Sequence, residues 1–250
     1  MAEEAKVKSL FKALKVLDCF AADKPELGVT EISELLGLYK SNVHNIVDTF
    51  VKAGYLERNP ANEKYRLSFK ILELSNVVSS NIGFRQLLLP SMQELADYSN
   101  ETVYLAIPYE TEVIYLHLAC PKNQLSTRSM LGVKAPMYCT GIGKAMLAFL
   151  PDAVFQQIAL QAFVSFTANT IRSREELAAQ LTDIRARGYA VDDMEHEYGI
   201  KCVGVPIFDK SGQVAGGISV SGPSLRFGDE QILDYAAKLR EIVDRVRDKI

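Results

Sequence analysis

The chain has 250 residues, 48% hydrophobic and 24% charged, with a net charge of −3. The length suits two domains, and the composition is ordinary for a soluble globular protein. The charge excludes a bulk positive field as the source of nucleic-acid affinity: residues 1–80 carry 11 basic and 11 acidic side chains, so any DNA contact must come from local placement.

Leu10, Leu14, Leu17 and Phe20 recur at three- and four-residue spacing and predict a helix over Ser9–Ala21. Asp23–Gly28 reads as a loop. Thr30 is placed to N-cap a second helix, with Glu31 and Glu34 at its positive end and Ile32, Leu35 and Leu36 as its apolar stripe. Gly37 ends it. A third helix is expected over Tyr39–Ala53, burying Val43, Ile46, Val47, Phe50 and Val51 and closing on a left-handed cap at Gly54. Two short strands, Tyr55–Arg58 and Lys64–Ser68, follow. Three helices and a hairpin in under 70 residues, with a tight Gly-containing turn between the second and third helices, predict a winged helix-turn-helix over 1–68.

A helical pattern through Ile71, Leu72 and Leu74 makes 69–82 a linker helix, with a break at Asn81-Ile82-Gly83. The remainder, 83–250, alternates strands and helices. A helix is expected over Phe84–Ser99, kinked or restarted at Pro90. Strands are expected over Thr102–Ile107, Glu112–Leu118, Ser126–Leu131, Lys201–Phe208 and Val214–Ser221. Helices are expected over Gly141–Phe149, from a capping box at Ser173–Glu176 to Gly188, and from about Asp229. The fold class is α+β with two domains: an N-terminal winged helix-turn-helix, a linker helix and a C-terminal α/β sensor domain of GAF-like type.

On the third helix Lys40, Ser41, Asn42, His44 and Asn45 avoid the core. In a recognition helix these would enter the major groove, Ser, Asn and His bonding base edges or phosphates and Lys40 a phosphate. Arg58, Lys64 and Arg66 on the wing are candidate backbone or minor-groove contacts. The partner implied is a double-stranded DNA operator. The plain alternative is a wet surface helix, against which the complete three-helix-plus-wing arrangement argues. Tyr39 suits either packing the turn or touching the DNA backbone.

Several ordered motifs resemble one family. Ser9-Leu10-Phe11-Lys12-Ala13-Leu14-Lys15-Val16-Leu17 resembles the opening helix of IclR-family bacterial transcriptional regulators. Gly37-Leu38-Tyr39-Lys40-Ser41-Asn42-Val43-His44 is similar to their recognition-helix start, and Tyr65-Arg66-Leu67 to the end of their wing. Thr140-Gly141-Ile142-Gly143-Lys144-Ala145, Arg187–Asp193, Gly199-Ile200-Lys201-Cys202 and Ile218–Pro223 resemble successive signatures of the family's effector-binding domain. Tyr39, Asn42 and Asn45 depart from the usual Pro, Thr and Arg, and Met194 interrupts an acidic run.

The resemblance implies a regulator, with its sense left open between repressor and activator, that assembles as a dimer or a dimer of dimers. It also implies a cleft binding a small organic acid, keto-acid-like or sugar-acid-like, as effector. The expected effector contacts are Gly141, Ile142, Asp192, Cys202, Ser219 and Ser221. Gly141 and Ile142 open a helix, where backbone N–H groups favour an anion. Ser219 and Ser221, two apart on a strand, share a face. Asp192 would accept from a ligand hydroxyl, and Cys202 would line the wall. Each has a structural alternative: Gly141 and Gly143 permitting tight packing, the serines bonding backbone, Cys202 as a buried small side chain, Asp192 capping a loop.

Other chemistries fit less well. Gly141-Ile142-Gly143-Lys144 lacks the first Gly and the Ser/Thr of a phosphate loop, having Tyr138 and Ala145 there. Asp192, His196, Cys139 and Cys202 are acceptable metal ligands but follow no metal-site spacing. His44, His117 and His196 form no nucleophile–base set, so no enzyme, cofactor or metal is expected. The N-terminus lacks a secretory signal, no apolar run spans a bilayer, and four scattered cysteines suit a reducing cytoplasm. The expectation is a cytoplasmic protein with no membrane partner.

Overall fold

The computed structural model describes residues 5–21, 23–80, 82–122 and 130–250, which divide into two compact units, the second beginning at Ile82. The first holds α1 (Lys8–Leu17), α2 (Val29–Leu36), α3 (Lys40–Lys52), the hairpin β1 (Leu56–Arg58) and β2 (Tyr65–Leu67), and α4 (Lys70–Ser80). Its core is Val16, Leu27, Ile32, Val43, Val47, Leu56 and Tyr65. Leu27 exchanges two backbone hydrogen bonds with Tyr65, at 3.0 and 2.9 Å. The segment before α2 is thus tied to the wing by a single antiparallel bridge.

Three expectations need correcting here. The second helix begins at Val29, so Thr30 lies inside it and Gly28 is the N-cap; Glu31, three residues on, takes the Gly28 N–H at 2.7 Å. The first helix stops at Leu17 rather than Ala21. Its stripe is also divided: Leu17 and Phe20 pack on the core, while Leu10, Phe11 and Leu14 are about half exposed. Likewise α4 buries no residue, and Phe69, Leu72, Val77 and Val78 lie open.

The second unit holds α5 (Gly83–Ser99), β3 (Thr102–Tyr109), β4 (Glu112–Ala119), β5 (Lys134–Pro136), α6 (Gly141–Leu147), α7 (Asp152–Ala159), α8 (Arg174–Arg187), β6 (Ala190–Asp193), β7 (Ile200–Phe208), β8 (Val214–Pro223) and α9 (Asp229–Val246). Six strands pair antiparallel in the order β5-β4-β3-β8-β7-β6. Strand alternation sorts the two faces. Val103, Leu105, Val203, Val205, Ile207, Ile218 and Val220 join one core with residues of α5 and α9. The opposite face packs on α6, with α8 behind it.

Of the expected strand Ser126–Leu131, residues 126–129 lie outside the described residues, and Met130 and Leu131 are not in a strand. α5 runs through Pro90 without restarting. β5, β6 and α7 go beyond the sequence expectation. β5 and β6 are three and four residues long, too short to show a period. The Ser173 hydroxyl accepts the Glu176 N–H at 3.1 Å and Gly188 closes α8 in the left-handed region, as a helix with a capped start and glycine end should.

Candidate functional site

In the first unit α3 lies on α2 and α1 through Val43 and Val47. Its opposite side presents Lys40, Ser41, Asn42, His44 and Asn45, all exposed, beside Tyr39, which is 82% exposed. Tyr39 does not pack the turn. The turn is closed instead by Gly37 in the left-handed region and by the Ser33 hydroxyl donating to Leu38 O at 2.5 Å. This is a polar helix face free to enter a groove.

The wing differs from a simple basic arm. Arg58 pairs with Glu63. Lys64 pairs with Glu31 at 2.9 Å, and Arg66 Nε donates to Glu57 at 2.7 Å with Glu26 a further 3.8 Å partner of its guanidinium. The register puts Arg66 directly opposite Glu57. All three expected wing contacts are exposed enough to reach DNA, but each already holds a carboxylate. Any phosphate contact here would have to exchange with that carboxylate, which would lower its net gain.

In the second unit all six expected effector contacts line one cavity of about 640 Å³. Two rows of the sheet form its floor. Asp192, Cys202, Ser221 and Thr102 stand opposite one another across β6, β7, β8 and β3. In the next row with the same facing are Gly204, Ser219 and Tyr104. The start of α6 forms a wall. Gly204 permits this approach: a Cβ there would stand 2.7 Å from Gly141 O and 2.8 Å from Ile142 N. Gly143 serves packing instead, since a Cβ would lie 2.6 Å from Met137 Cα and 2.4 Å from Thr140 Oγ1. Thr140 caps α6 by accepting the Gly143 N–H at 3.2 Å.

The Cys202 thiol donates to Ser221 Oγ at 2.9 Å. Burial, with Asp192 nearby, holds it neutral well above the usual thiol range, which makes it a poor nucleophile. Asp192 is 3% exposed, and its Oδ1 accepts the Glu195 N–H at 2.7 Å. Loop capping is therefore one role of this carboxyl. Burial pushes Asp192 up to about 7, against the backbone hydrogen bond from Glu195.

Several lining or supporting residues were not singled out by sequence. Tyr104 and Tyr115 meet edge-on with centroids 5.3 Å apart, and burial raises the Tyr104 hydroxyl to about 12. Buried Glu101 is held by Arg226 through two bonds of 2.5 and 2.7 Å. Beneath the Asp192 loop Lys144 is fully buried, paired with Glu195 and donating to Gln180 at 2.7 Å. Glu195 is fixed in turn by Thr170, whose hydroxyl donates to its carbonyl at 2.6 Å. The signal for Lys144 was its setting: a lone lysine in a helix with every other residue small or apolar has to find a buried acid.

Among the described residues, no three His, Cys, Asp or Glu side chains are placed to hold a metal ion, and no helix is long and apolar enough to cross a membrane.

Residues 9–60 match the IclR helix-turn-helix domain, and residues 76–247 match the bacterial transcriptional regulator IclR C-terminal domain. The HTH-type transcriptional regulator XynR of Escherichia coli K12 is 33% identical over 237 residues, covering 94% of each chain. KdgR of the same organism is 32% identical over 241 residues, 96% of this chain and 91% of that one. In structure, Thermotoga maritima IclR matches with a TM-score of 0.75 at 30% identity, over 97% of this chain and 98% of that one.

Proposed function

The chain belongs to the IclR family of bacterial transcriptional regulators, and from that premise we propose that it is a repressor whose operator affinity is set by a small organic acid held in the cavity of the second unit. The observation that carries this reading is the convergence of Gly141, Ile142, Asp192, Cys202, Ser219 and Ser221 on one cavity. They come from α6, β6, β7 and β8. The lining combines hydroxyls, the thiols of Cys120 and Cys202, the carboxyls of Glu101, Asp192 and Glu197, and the rings of Tyr104 and Tyr115. Convergent polar groups beside aromatic and aliphatic side chains suit a small polar ligand. Among the cavity's cationic side chains, Arg226 is held by Glu101 and Lys134 lies 3.7 Å from Glu112 and over the Tyr109 ring.

On the DNA side, Lys40, Ser41, Asn42, His44 and Asn45 read base edges and phosphates, and Arg58, Lys64 and Arg66 anchor. The exposed apolar residues of α1 and α4 suit pairing with a second copy of the chain, giving a dimer or a dimer of dimers on a pseudo-palindromic operator.

The test is a thermal-shift screen of carboxylates on the full chain, followed by operator binding with and without each hit. A ligand at 100 times its Kd adds about 2.7 kcal/mol to stability, which a melt resolves. A hit that also changes operator affinity supports the reading. Acids that bind without changing it, or no binding by any acid, would sink it.

A further inference from the structure

The buried charges beneath the cavity floor do not balance. Two carboxyls, Asp192 and Glu195, are 3% and 5% exposed, and the Lys144 ammonium set between them is fully buried. That ammonium bonds Glu195 and Gln180. With Lys144 and Glu195 charged, an ionised Asp192 is a buried anion without a cation of its own. Such a group takes up a proton more readily than it stays charged.

Among the described residues, the groups facing Asp192 from the surrounding elements include no second lysine or arginine acting on it. They are the Cys202 thiol on β7, the Cys139 thiol before α6 and the Tyr115 hydroxyl on β4. Burial drives all three upward, so each stays neutral. From its own loop come the Glu195 carboxyl, which is raised by burial, and the backbone N–H groups of Glu195 and His196. His196 and Glu197 complete the titratable lining on this side.

An acid ligand adds a second negative charge to this wall. This deepens the reading above and rests on it: we propose that the cavity takes its acid ligand together with one proton, carried on the Asp192 carboxyl, which donates a hydrogen bond to the ligand carboxylate. The proton comes from solvent and stays on Asp192; no bond of the ligand is made or broken. Oδ1 keeps the Glu195 N–H, and the His196 backbone N–H also bonds this carboxyl. The pushed-up carboxyl, near 7 before any ligand arrives, is consistent with this, and a neighbouring carboxylate raises it further. The protonated residue then meets a ligand carboxylate as a hydrogen-bond donor and not as a second anion.

The experiment is calorimetric titration of the full chain with pyruvate, gluconate and benzoate, from pH 6 to 8.5, in buffers of different ionisation heat. The expected result is uptake approaching one proton per ligand above pH 7.5, and an affinity that falls about tenfold per pH unit there. Asp192→Asn, whose amide still donates, is expected to bind with little pH dependence and no proton uptake, with its melting temperature confirming the fold. Affinity flat with pH and without proton uptake in the wild type would overturn the proposal while leaving the acid reading intact. Uptake that survives in Asp192→Asn places the proton elsewhere and also overturns it. Loss of binding in a folded Asp192→Asn makes Asp192 an ionised acceptor and overturns it equally. Binding by none of the three acids at any pH, together with no hit in the carboxylate screen, removes the acid reading itself, and this inference with it.

Discussion

Lys144 on α6 and Glu195 after β6 form an ion pair closed to solvent, with 0% and 6% of their side chains exposed. Isolating two charges this way costs desolvation energy, which their attraction repays only while both are present. Lys144→Met is therefore expected to lower the unfolding free energy by about 3–5 kcal/mol, because it strands Glu195 beside Asp192. The double variant Lys144→Met with Glu195→Leu should recover most of that loss. Urea unfolding of the three proteins checks it. A double variant as weak as the single one would show that packing volume at α6, not charge, sets the cost.

Stability should also depend on pH through Asp192. Its folded value, about 7, lies above its ordinary value of 3.8. A raised carboxyl stabilises the fold when protonated, and that contribution is fully present below about 4 and lost as pH rises through 7. Asp192→Asn removes the titration. The variant should gain on the wild type from pH 4 to 7 by up to roughly 4 kcal/mol, and the gap should be constant above about 8. Chemical denaturation at a series of pH values measures the gap. A difference independent of pH would show that the native carboxyl is not raised.

The DNA-reading unit was largely legible in sequence because its helices carry their own period and stops: Val43 and Val47 mark the buried side of α3, and Gly37 and Gly54 bound its neighbourhood. The cavity was legible only residue by residue. Ser219 and Ser221 announce a shared face, but a sequence does not show that Asp192 and Cys202 lie opposite one another, because β6 has four residues and its pairing is long-range. The partnership of Lys144 with Glu195, 51 residues apart, was hidden for the same reason. Nor could wing residues be seen as paired until the register set Arg66 against Glu57.

Those wing pairs make a prediction about the carboxylates that hold them. Asn42→Ala, on the reading face, should relax preference at one base position by about 1–3 kcal/mol. Glu57→Gln should free Arg66 from its 2.7 Å partner, strengthening binding to all sequences and steepening the salt dependence by up to about one unit per new phosphate contact. Fluorescence anisotropy across a salt series, on operator and random duplexes, reads both effects. Weaker binding by Glu57→Gln would mean the pair orients Arg66 rather than restraining it.

Leu10, Phe11 and Leu14 occupy neighbouring positions on one side of α1 and are about half exposed. Leu10→Ser with Phe11→Ser should leave secondary structure intact, since neither side chain belongs to the core of the first unit. If a second copy covers this face, the pair of substitutions should shift the protein toward monomer in sedimentation equilibrium and shorten the operator footprint to a half-site. Unchanged mass and footprint would exclude α1 from the pairing surface.

Ser219 and Ser221 allow the coupling between ligand and operator to be tested without touching the reading unit. An effector changes the DNA-bound population only through its difference in affinity between two conformers, typically about 1–3 kcal/mol. Reciprocity then requires operator DNA to change ligand affinity by the same factor. Ser219→Ala with Ser221→Ala removes two hydroxyls from the cavity floor and leaves α3 and the wing unaltered. The expected outcome is operator affinity like the wild type without ligand, and loss of the ligand response. The measurement is ligand titration with and without operator, on both proteins. Equal ligand affinity in the two wild-type titrations would remove the coupling, and an unchanged response in the double variant would remove the serines from the site.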